Sequence, residues 1–435
     1  MENKKKKEII LNDTFPILVS LFIFGYYFYG FIIDENSAGA GPYDFELIWS
    51  NLQLFKENIF NNLDSQIYND SRPPLSYILH VLFNTFTDNK ENFRTTVFLI
   101  SFLVPILFFF SIKKKFNNLN NSLLLLLTSI ITLSPYFRTT AYWGLGENYG
   151  FICILLTFLF FESIKNTKLK YYFFSKNILF FLPLCFFSSL CIYFDQKLIF
   201  VPAYCYYFIL EAKIDFKYKI LTTIYYFIFA LPFLYLIFLW GGIMPPTATD
   251  ARSFGIMQLH PFHLGYCLSM IAFYVFPLIF FTNFKIENFR KNIFSEKFFY
   301  LSIIFIVYLI VLIFFGNFND LPSIGKGIVH KFLELVFENT NIKLLFTLIA
   351  FFISGIIILE YFKYKIELIF VIYFLFLSIF TFPFQQEYLD PLIFLLAFSF
   401  FNTKLNITVK TTYAVVFYFL IFSISSNIYY TQTIN

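Results

Sequence analysis

The chain has 435 residues, of which 58% are hydrophobic and only 14% are charged, and its mean hydropathy is +0.69. Soluble domains carry about 25% charged residues, so this composition excludes a soluble globular protein and indicates one embedded in a membrane. The formal net charge of +5 does not indicate a nucleic-acid partner, because the lysines lie where membrane topology requires them.

The first predicted span covers 15–33, which contains no charged residue. At ~1.5 Å per residue it reaches about 28 Å, close to the ~30 Å hydrocarbon core of a bilayer. Comparable apolar runs continue to the end of the chain. They predict an all-α, polytopic transmembrane protein with about 11–13 spans, organised as one integral-membrane domain over 1–435. The later runs lie at 96–112, 120–137, 148–163, 177–194, 198–211, 220–240, 264–282, 298–315, 344–362, 366–384, 389–402 and 411–428.

Basic residues predict the orientation of these spans. Four lysines, Lys4 to Lys7, precede the first span, and basic residues recur at every second turn. Cytoplasmic turns carry such an excess, so the N-terminus is expected to be cytoplasmic. The long polar segments then fall on the other face, which we expect to be the active, periplasmic or extracellular face of a multi-pass protein in a bacterial inner membrane. These outer segments are 34–95, 241–263 and 316–343.

The first outer segment contains most of the candidate site residues. An acid pair, Asp34 and Glu35, directly follows the first span, and Asp44 lies shortly after it. Apolar residues over 47–60 predict a helix lying in the headgroup region. The next stretch, "NDSRPPLSY" over 69–77, contains two prolines that forbid helix for the residue before them and so predict a rigid turn. That turn contributes the candidates Asp70 and Arg72.

Later outer turns add polar residues of the same kinds. "SPYFRTTAYWGLGEN" over 134–148 contains Arg138 and Glu147, and further candidates follow in 241–263 and in "QQEYLDP" over 385–391. Arginine binds phosphate oxygens with two parallel hydrogen bonds, and a carboxylate near the lipid surface can accept a proton from a sugar hydroxyl. This set therefore suits a lipid phosphate and a sugar. The further substrate-binding candidates are Asp250, Arg252, His260 and Gln386.

Simpler interpretations of these residues stay open. Asp34 and Glu35 also suit a helix end at the water interface, and the arginines also suit anchors to lipid headgroups. His260 and His263 are separated by a proline, which disfavours a regular pair of metal ligands. The five cysteines form no CxxC pair and predict neither zinc nor disulfides. We expect no metal site and no organic cofactor, although the residues leave a divalent cation possible.

Several stretches are similar to a known family. "DENSAGAGPYDFELIWSNLQLF" places its acid pair behind the first span, "NDSRPPLSYILH" contains a Pro-Pro element, and "LWGGIMPPTATDARSFGIMQLHPFHLGYCL" looks like a late outer loop. Together they resemble the GT-C glycosyltransferases, integral-membrane enzymes that use polyprenyl-phosphate sugars, and in arrangement most of all the dolichyl-phosphate-glucose α-1,2-glucosyltransferases. "QQEYLDP" is similar to the closing Arg-Tyr-x-x-x-Pro element of that group, with Glu387 where the arginine is expected.

The resemblance implies an inverting hexosyl transfer on the outer face. Asp34, helped by Glu35, would deprotonate the acceptor hydroxyl, with Asp70 as the reserve base. Arg72 or Arg138 would stabilise the leaving phosphate. The implied partners are a polyprenyl-phosphate sugar donor, a glycan or glycolipid acceptor and membrane lipid.

Two other functions fit parts of the sequence. A transporter or flippase of lipid-linked glycans would need a charge near the middle of the membrane, whereas the apolar runs are nearly free of charge at their centres. A polysaccharide polymerase or ligase would place essential arginines and histidines in a late outer loop, as 241–263 does.

Overall fold

The computed structural model describes residues 2–166, 178–212, 214–247, 259–282, 296–315, 326–362, 364–381 and 383–434. All the regular secondary structure in those ranges is helical, which confirms the predicted all-α class. Contacts divide the chain into two compact units, Met1–Arg252 with Phe419–Asn435, and Ser253–Tyr418. The description as one integral-membrane domain stays a prediction.

The first unit contains the segment predicted to hold most of the site. Its helices are α1 (Glu2–Ile32), α2 (Gly41–Glu57), α3 (Leu75–Phe83), α4 (Lys90–Ser101), α5 (Leu103–Lys115), α6 (Asn121–Ser129), α7 (Pro135–Tyr142), α8 (Glu147–Asn166), α9 (Ile178–Phe194), α10 (Phe200–Glu211) and α11 (Phe216–Trp240). The other helices are α12 (Phe262–Val275), α13 (Glu296–Phe315), α14 (Gly327–Val336), α15 (Thr340–Tyr361), α16 (Lys365–Phe380), α17 (Leu392–Phe398) and α18 (Val409–Ile434).

Within the described residues, eight helical segments are long and apolar enough to cross a membrane, which confirms a multi-pass protein. A bent pair, Asn121–Leu133 with Pro135–Tyr142 at 71°, would make a ninth, and Phe181–Phe194 and Glu367–Phe380 are shorter apolar helices. The figure of about 11–13 spans stays a prediction. The eight are Thr14–Ile32, Lys90–Lys115, Glu147–Ile164, Phe216–Trp240, Phe262–Phe281, Phe298–Phe315, Thr340–Tyr361 and Val409–Thr431.

Three predicted spans differ from the helices observed, and the first of them, 120–137, is broken by the bend between Leu133 and Pro135. The run 198–211 forms only the 12-residue α10, and 389–402 contains only the 7-residue α17. At ~1.5 Å per residue, α17 is about 10 Å long. Residues 389–401 are nevertheless all buried. Irregular backbone of this kind is tolerated at membrane depth where protein surrounds it.

Aromatic packing holds the end of α1 against α7. The Tyr27 ring is fully buried and lies 5.6 Å from Phe137 and 5.3 Å from Tyr142, measured between ring centroids. It also contacts Phe98 of α4 at 5.4 Å. Because buried aromatic rings supply large apolar contact areas, this cluster places the C-terminus of α1 beside α7.

The first outer segment contains a helix where one is predicted, although it begins and ends earlier than 47–60, and its location in the headgroup region stays a prediction. In α2 the buried residues Phe45, Ile48, Leu52 and Phe55 recur at helical spacing, so one apolar face packs inward. Phe60 lies beyond the end of this helix and is exposed. The segment 69–74 between α2 and α3 is not helical, as the two prolines predict.

Candidate functional site

The two acids that follow α1 point in different directions because of the backbone conformation at Asp34. Asp34 has φ +55°, and the Glu35 amide donates to the Gly30 carbonyl at 2.9 Å, which closes the helix with a left-handed residue. The two side chains then lie in different surroundings, since that of Asp34 is 61% exposed and that of Glu35 is 0% exposed. Asp34 can therefore contact a substrate, whereas the buried Glu35 can only contact other groups of the protein.

Glu35 forms a buried ion pair with Arg138 of α7. Arg138 Nε donates to Glu35 Oε1 at 2.8 Å, and Arg138 Nη2 donates to Glu35 Oε2. Arg138 Nη1 also donates to the Thr132 carbonyl at 3.2 Å. Since both side chains are fully buried and both carboxylate oxygens are occupied, this pair serves to join α1 to α7.

Asp34 is held by an arginine that the sequence did not single out. Arg94 Nη1 lies 2.6 Å from Asp34 Oδ1. The Arg94 guanidinium stacks over Trp143 at 4.3 Å, and its Nε donates to the Tyr142 carbonyl at 2.7 Å. These contacts leave few other positions for the guanidinium. Arg94 therefore orients an accessible carboxylate.

A second polar cluster surrounds Arg72. The Arg72 amide donates to Asp70 Oδ1 at 3.0 Å, its Nη2 contacts Glu147 Oε1, and Tyr77 donates to Asp70 Oδ2 at 2.6 Å. Burial by itself would lower the pKa of Arg72, but the neighbouring carboxylates of Glu147 and Asp70 raise it well above its usual value. Arg72 thus remains a cation, and its side chain is 21% exposed.

Two buried polar atoms at the start of α8 have no hydrogen-bond partner among the described residues. They are Glu147 Oε2 and Asn148 Nδ2, an acceptor and a donor on consecutive residues. The other Glu147 oxygen already accepts from Tyr136 and Arg72. Buried polar groups are normally hydrogen-bonded, so such a pair is a candidate for contacting a hydroxyl.

The Arg72 cluster continues into the short 3-10 turn after α9. The Gln196 amide group donates to the Ser71 carbonyl at 2.6 Å, and Lys197 pairs with Asp195 at 2.7 Å. An apolar groove of about 340 Å³ lies next to this turn, between α9, α10 and α11. The groove lining includes Tyr193, which precedes the turn, and Ile199, which is the last residue of the turn.

Helix α7 links the two polar clusters. Its Tyr136 donates to Glu147, and Arg138, two positions later, binds Glu35. The first unit therefore contains six of the predicted residues in two clusters that α7 connects. They are Asp34, Glu35, Asp70, Arg72, Arg138 and Glu147.

Of the remaining predicted residues, the structure describes Asp44, His260 and Gln386. Asp44 is half-buried in the first turn of α2, where a negative charge suits the helix dipole. His260 and Gln386 belong to the second unit. Asp250 and Arg252 lie outside the described residues.

Sequence reasoning missed Arg94 and Tyr136. Arg94 stands four positions after Lys90, at the start of an apolar run, where basic residues usually anchor a span. The sequence does not show that the Arg94 side chain is buried, which distinguishes it from an anchor at the membrane surface. Across the described ranges, no three His, Cys, Asp or Glu side chains are grouped to hold a metal ion. The His260 and His263 rings stack at 5.1 Å.

Comparison of the chain with protein-family models, with curated proteins and with solved structures finds no match.

Proposed function

We propose that the protein is a membrane glycosyltransferase that moves a hexose from a polyprenyl-phosphate sugar to a glycan or glycolipid acceptor. The observation that supports this most strongly is the division of the acid pair, which leaves Asp34 accessible while Arg94 orients it. The resemblance of the outer segments to GT-C enzymes favours the same activity. Sugar, acceptor and membrane face are all part of the proposal.

Asp34 is the proposed general base. An acceptor hydroxyl gives its proton to the Asp34 carboxylate as its oxygen forms a bond to the anomeric carbon. The bond from that carbon to the phosphate oxygen breaks with its electron pair, so the polyprenyl phosphate leaves as an anion and the configuration inverts. A positioned carboxylate within hydrogen-bond reach typically contributes about 10²–10⁴-fold in rate.

Arg72 is the proposed partner of the leaving phosphate. It stays cationic, it is partly exposed, and the buried Glu147 and the half-buried Asp70 hold it in place. A fixed cation in a poorly hydrated site stabilises developing negative charge more than it would in water. Glu147 Oε2 and Asn148 Nδ2, which have no hydrogen-bond partner among the described residues, are the proposed acceptor and donor for a sugar hydroxyl.

The groove between α9, α10 and α11 is the proposed site for the polyprenyl chain. Its lining is almost entirely apolar, and the turn at its end is tied by Gln196 to the loop of Arg72. An amphipathic donor with a long apolar chain and a charged head fits such an arrangement, because the chain avoids water while the phosphate reaches a cation.

Glu35 and Arg138 are positioning residues in this proposal. Their ion pair holds the end of α1, and with it the turn that presents Asp34. This differs from the expectation that Glu35 assists proton transfer and Arg138 binds phosphate, because both Glu35 oxygens accept from Arg138, and Arg138 also donates to the backbone carbonyl of Thr132.

The decisive experiment is incubation of the purified chain in lipid with a panel of polyprenyl-phosphate sugars and glycolipid acceptors. Released polyprenyl phosphate and extended acceptor are measured together by mass spectrometry. We expect both products for one donor. Movement of a lipid-linked glycan across the bilayer without either product would instead identify a transporter.

A further inference from the structure

Helix α14 in the second unit buries two polar residues near its start and exposes three apolar residues nearer its end. Lys326 at its start and His330 one turn later are buried, whereas Phe332, Leu335 and Val336 are exposed. This is the reverse of a helix on a soluble protein, and it fits a helix with lipid outside and a polar interior. The segment 316–343, predicted as an outer loop, thus contains a helix that belongs to the bundle of this unit.

The start of α14 lies beside the middle of α12. Gly327 has φ +67° and packs so closely on Met270 that an added Cβ would clash with that side chain. The Gln386 side chain accepts from the Ile328 amide at 2.8 Å and donates to Tyr274 at 2.7 Å. At ~1.5 Å per residue, Met270 is about 12 Å along α12 from its first residue, Phe262. Lys326 is therefore inside the bundle and not at the end of a span.

Helix α14 then runs back towards the start of α12. His330 lies 3.0 Å from the Ser269 hydroxyl and 3.4 Å from that of Thr347, early in α15. Four residues later, Glu334 reaches back to contact the Lys326 ammonium. Lys326 and Glu334 thus bracket His330 on one face of the helix.

The two members of this ion pair are buried very unequally. The Lys326 side chain is 4% exposed and that of Glu334 is 36% exposed. The Glu334 carboxylate therefore reaches the surface of the unit, whereas the Lys326 ammonium is enclosed. A buried cation without an anion is strongly unfavourable, so any departure of Glu334 demands another anion at Lys326.

We propose that Lys326 is the cation of an anion-binding site in the second unit and that Glu334 occupies this site until a phosphate group replaces it. Inorganic phosphate and a lipid phosphate share this chemistry, and the test distinguishes the two sources. The Ile328 amide is already bound by Gln386, so the ammonium supplies the attraction and not the helix end. The site is independent of the proposed transfer reaction.

The test measures binding of dihexanoyl phosphatidate to the purified full-length chain in detergent, with inorganic phosphate and dihexanoyl phosphatidylcholine in parallel. We expect Glu334→Gln to bind phosphatidate roughly tenfold more tightly, because the competing carboxylate is gone, and Lys326→Met to bind at least tenfold more weakly. Lys331→Met, on the same helix, is the matched control and should bind like the parent.

Because Lys326→Met leaves Glu334 without its partner, the double variant Lys326→Met with Glu334→Leu accompanies it. Replacing both members by apolar residues is often neutral for stability, so this variant keeps the fold while removing the cation. Its loss of phosphatidate binding would support the site. Equal binding by the parent and the double variant, or no gain from Glu334→Gln, would overturn it. Tighter binding of phosphatidate than of inorganic phosphate would identify a lipid as the source, and equal affinities would identify the free phosphate group.

Discussion

Glu35 and Arg138 form a fully buried ion pair across 103 positions of sequence. Removing one member leaves an uncompensated buried charge. We therefore expect Glu35→Gln or Arg138→Met to lower the free energy of unfolding by about 3–5 kcal/mol. Denaturant titration of the protein in detergent micelles measures this change.

The matched control is the pair between Lys90 and Glu46, which is largely exposed. Lys90→Gln should change the free energy of unfolding by less than about 1 kcal/mol. Equal effects of Glu35→Gln and Lys90→Gln would show that the buried pair does not stabilise the end of α1.

Asp34→Asn is expected to abolish sugar transfer without unfolding the protein. Asparagine tolerates the left-handed conformation of this position, so the turn is retained while the base is lost. Initial rates in the donor assay should fall by about 10²–10⁴-fold. Asp88→Asn, which alters an exposed carboxylate of the same outer segment, is the control. Parental rates in Asp34→Asn would remove Asp34 from the mechanism.

Arg72→Gln is expected to lower the turnover of the donor by about 10²–10³-fold, because a fixed positive charge at the leaving phosphate is lost. Arg72→Lys should recover only part of the rate, since an ammonium cannot make two parallel hydrogen bonds to phosphate oxygens. Circular dichroism checks that each variant is folded. The phosphate assignment fails if Arg72→Gln, while folded, turns over as fast as the parent.

Because His80 is buried, we expect the protein to lose stability in weak acid. Burial lowers the pKa of His80 from 6.5 to about 4, with its ring 2.5 Å from the Tyr149 hydroxyl. As the pH falls below 6.5 the unfolded chain takes up the proton first, so this stability is lost between pH 6.5 and 4. Between pH 7 and 5 the loss is about 2 kcal/mol.

The parent and His80→Gln are compared by unfolding at pH 7 and at pH 5. The other three histidines are present in both proteins, so the difference between the two pH dependences isolates His80. His80→Gln should lose less stability on acidification than the parent. Identical losses would show that His80 is equally protonated in the folded and unfolded chains.

Cysteine labelling checks the predicted orientation. The five native cysteines are all buried, so a membrane-impermeant maleimide should give little background. We expect Phe60→Cys, in the first outer segment, to be labelled on intact cells, and Asn118→Cys to be labelled only after permeabilisation. Both positions are exposed in the structure. Labelling of Asn118→Cys but not of Phe60→Cys on intact cells would reverse the topology and place Asp34 in the cytoplasm.

Local patterns in the sequence predicted several parts of the molecule correctly. The helix α2 follows from apolar residues at helical spacing, and the turn before α3 follows from Pro73 and Pro74. Asp70 and Arg72 are only two positions apart in the sequence, so their contact could have been predicted from the same local pattern. Irregular segments such as 389–402 could not be predicted in this way, because an apolar run has the same composition whether it forms a helix or a buried loop.

By itself, the sequence determined that the chain is a multi-pass helical membrane protein, because long uncharged runs are stable only where backbone groups bond within the helix and side chains avoid water. Only the tertiary structure decided which acid of the pair is accessible and that Lys326 faces inward. Both outcomes depend on distant partners, Arg138 for Glu35 and the side of α12 for α14. The energy of a buried charge is set by what surrounds it in space, and neighbours in sequence do not report that.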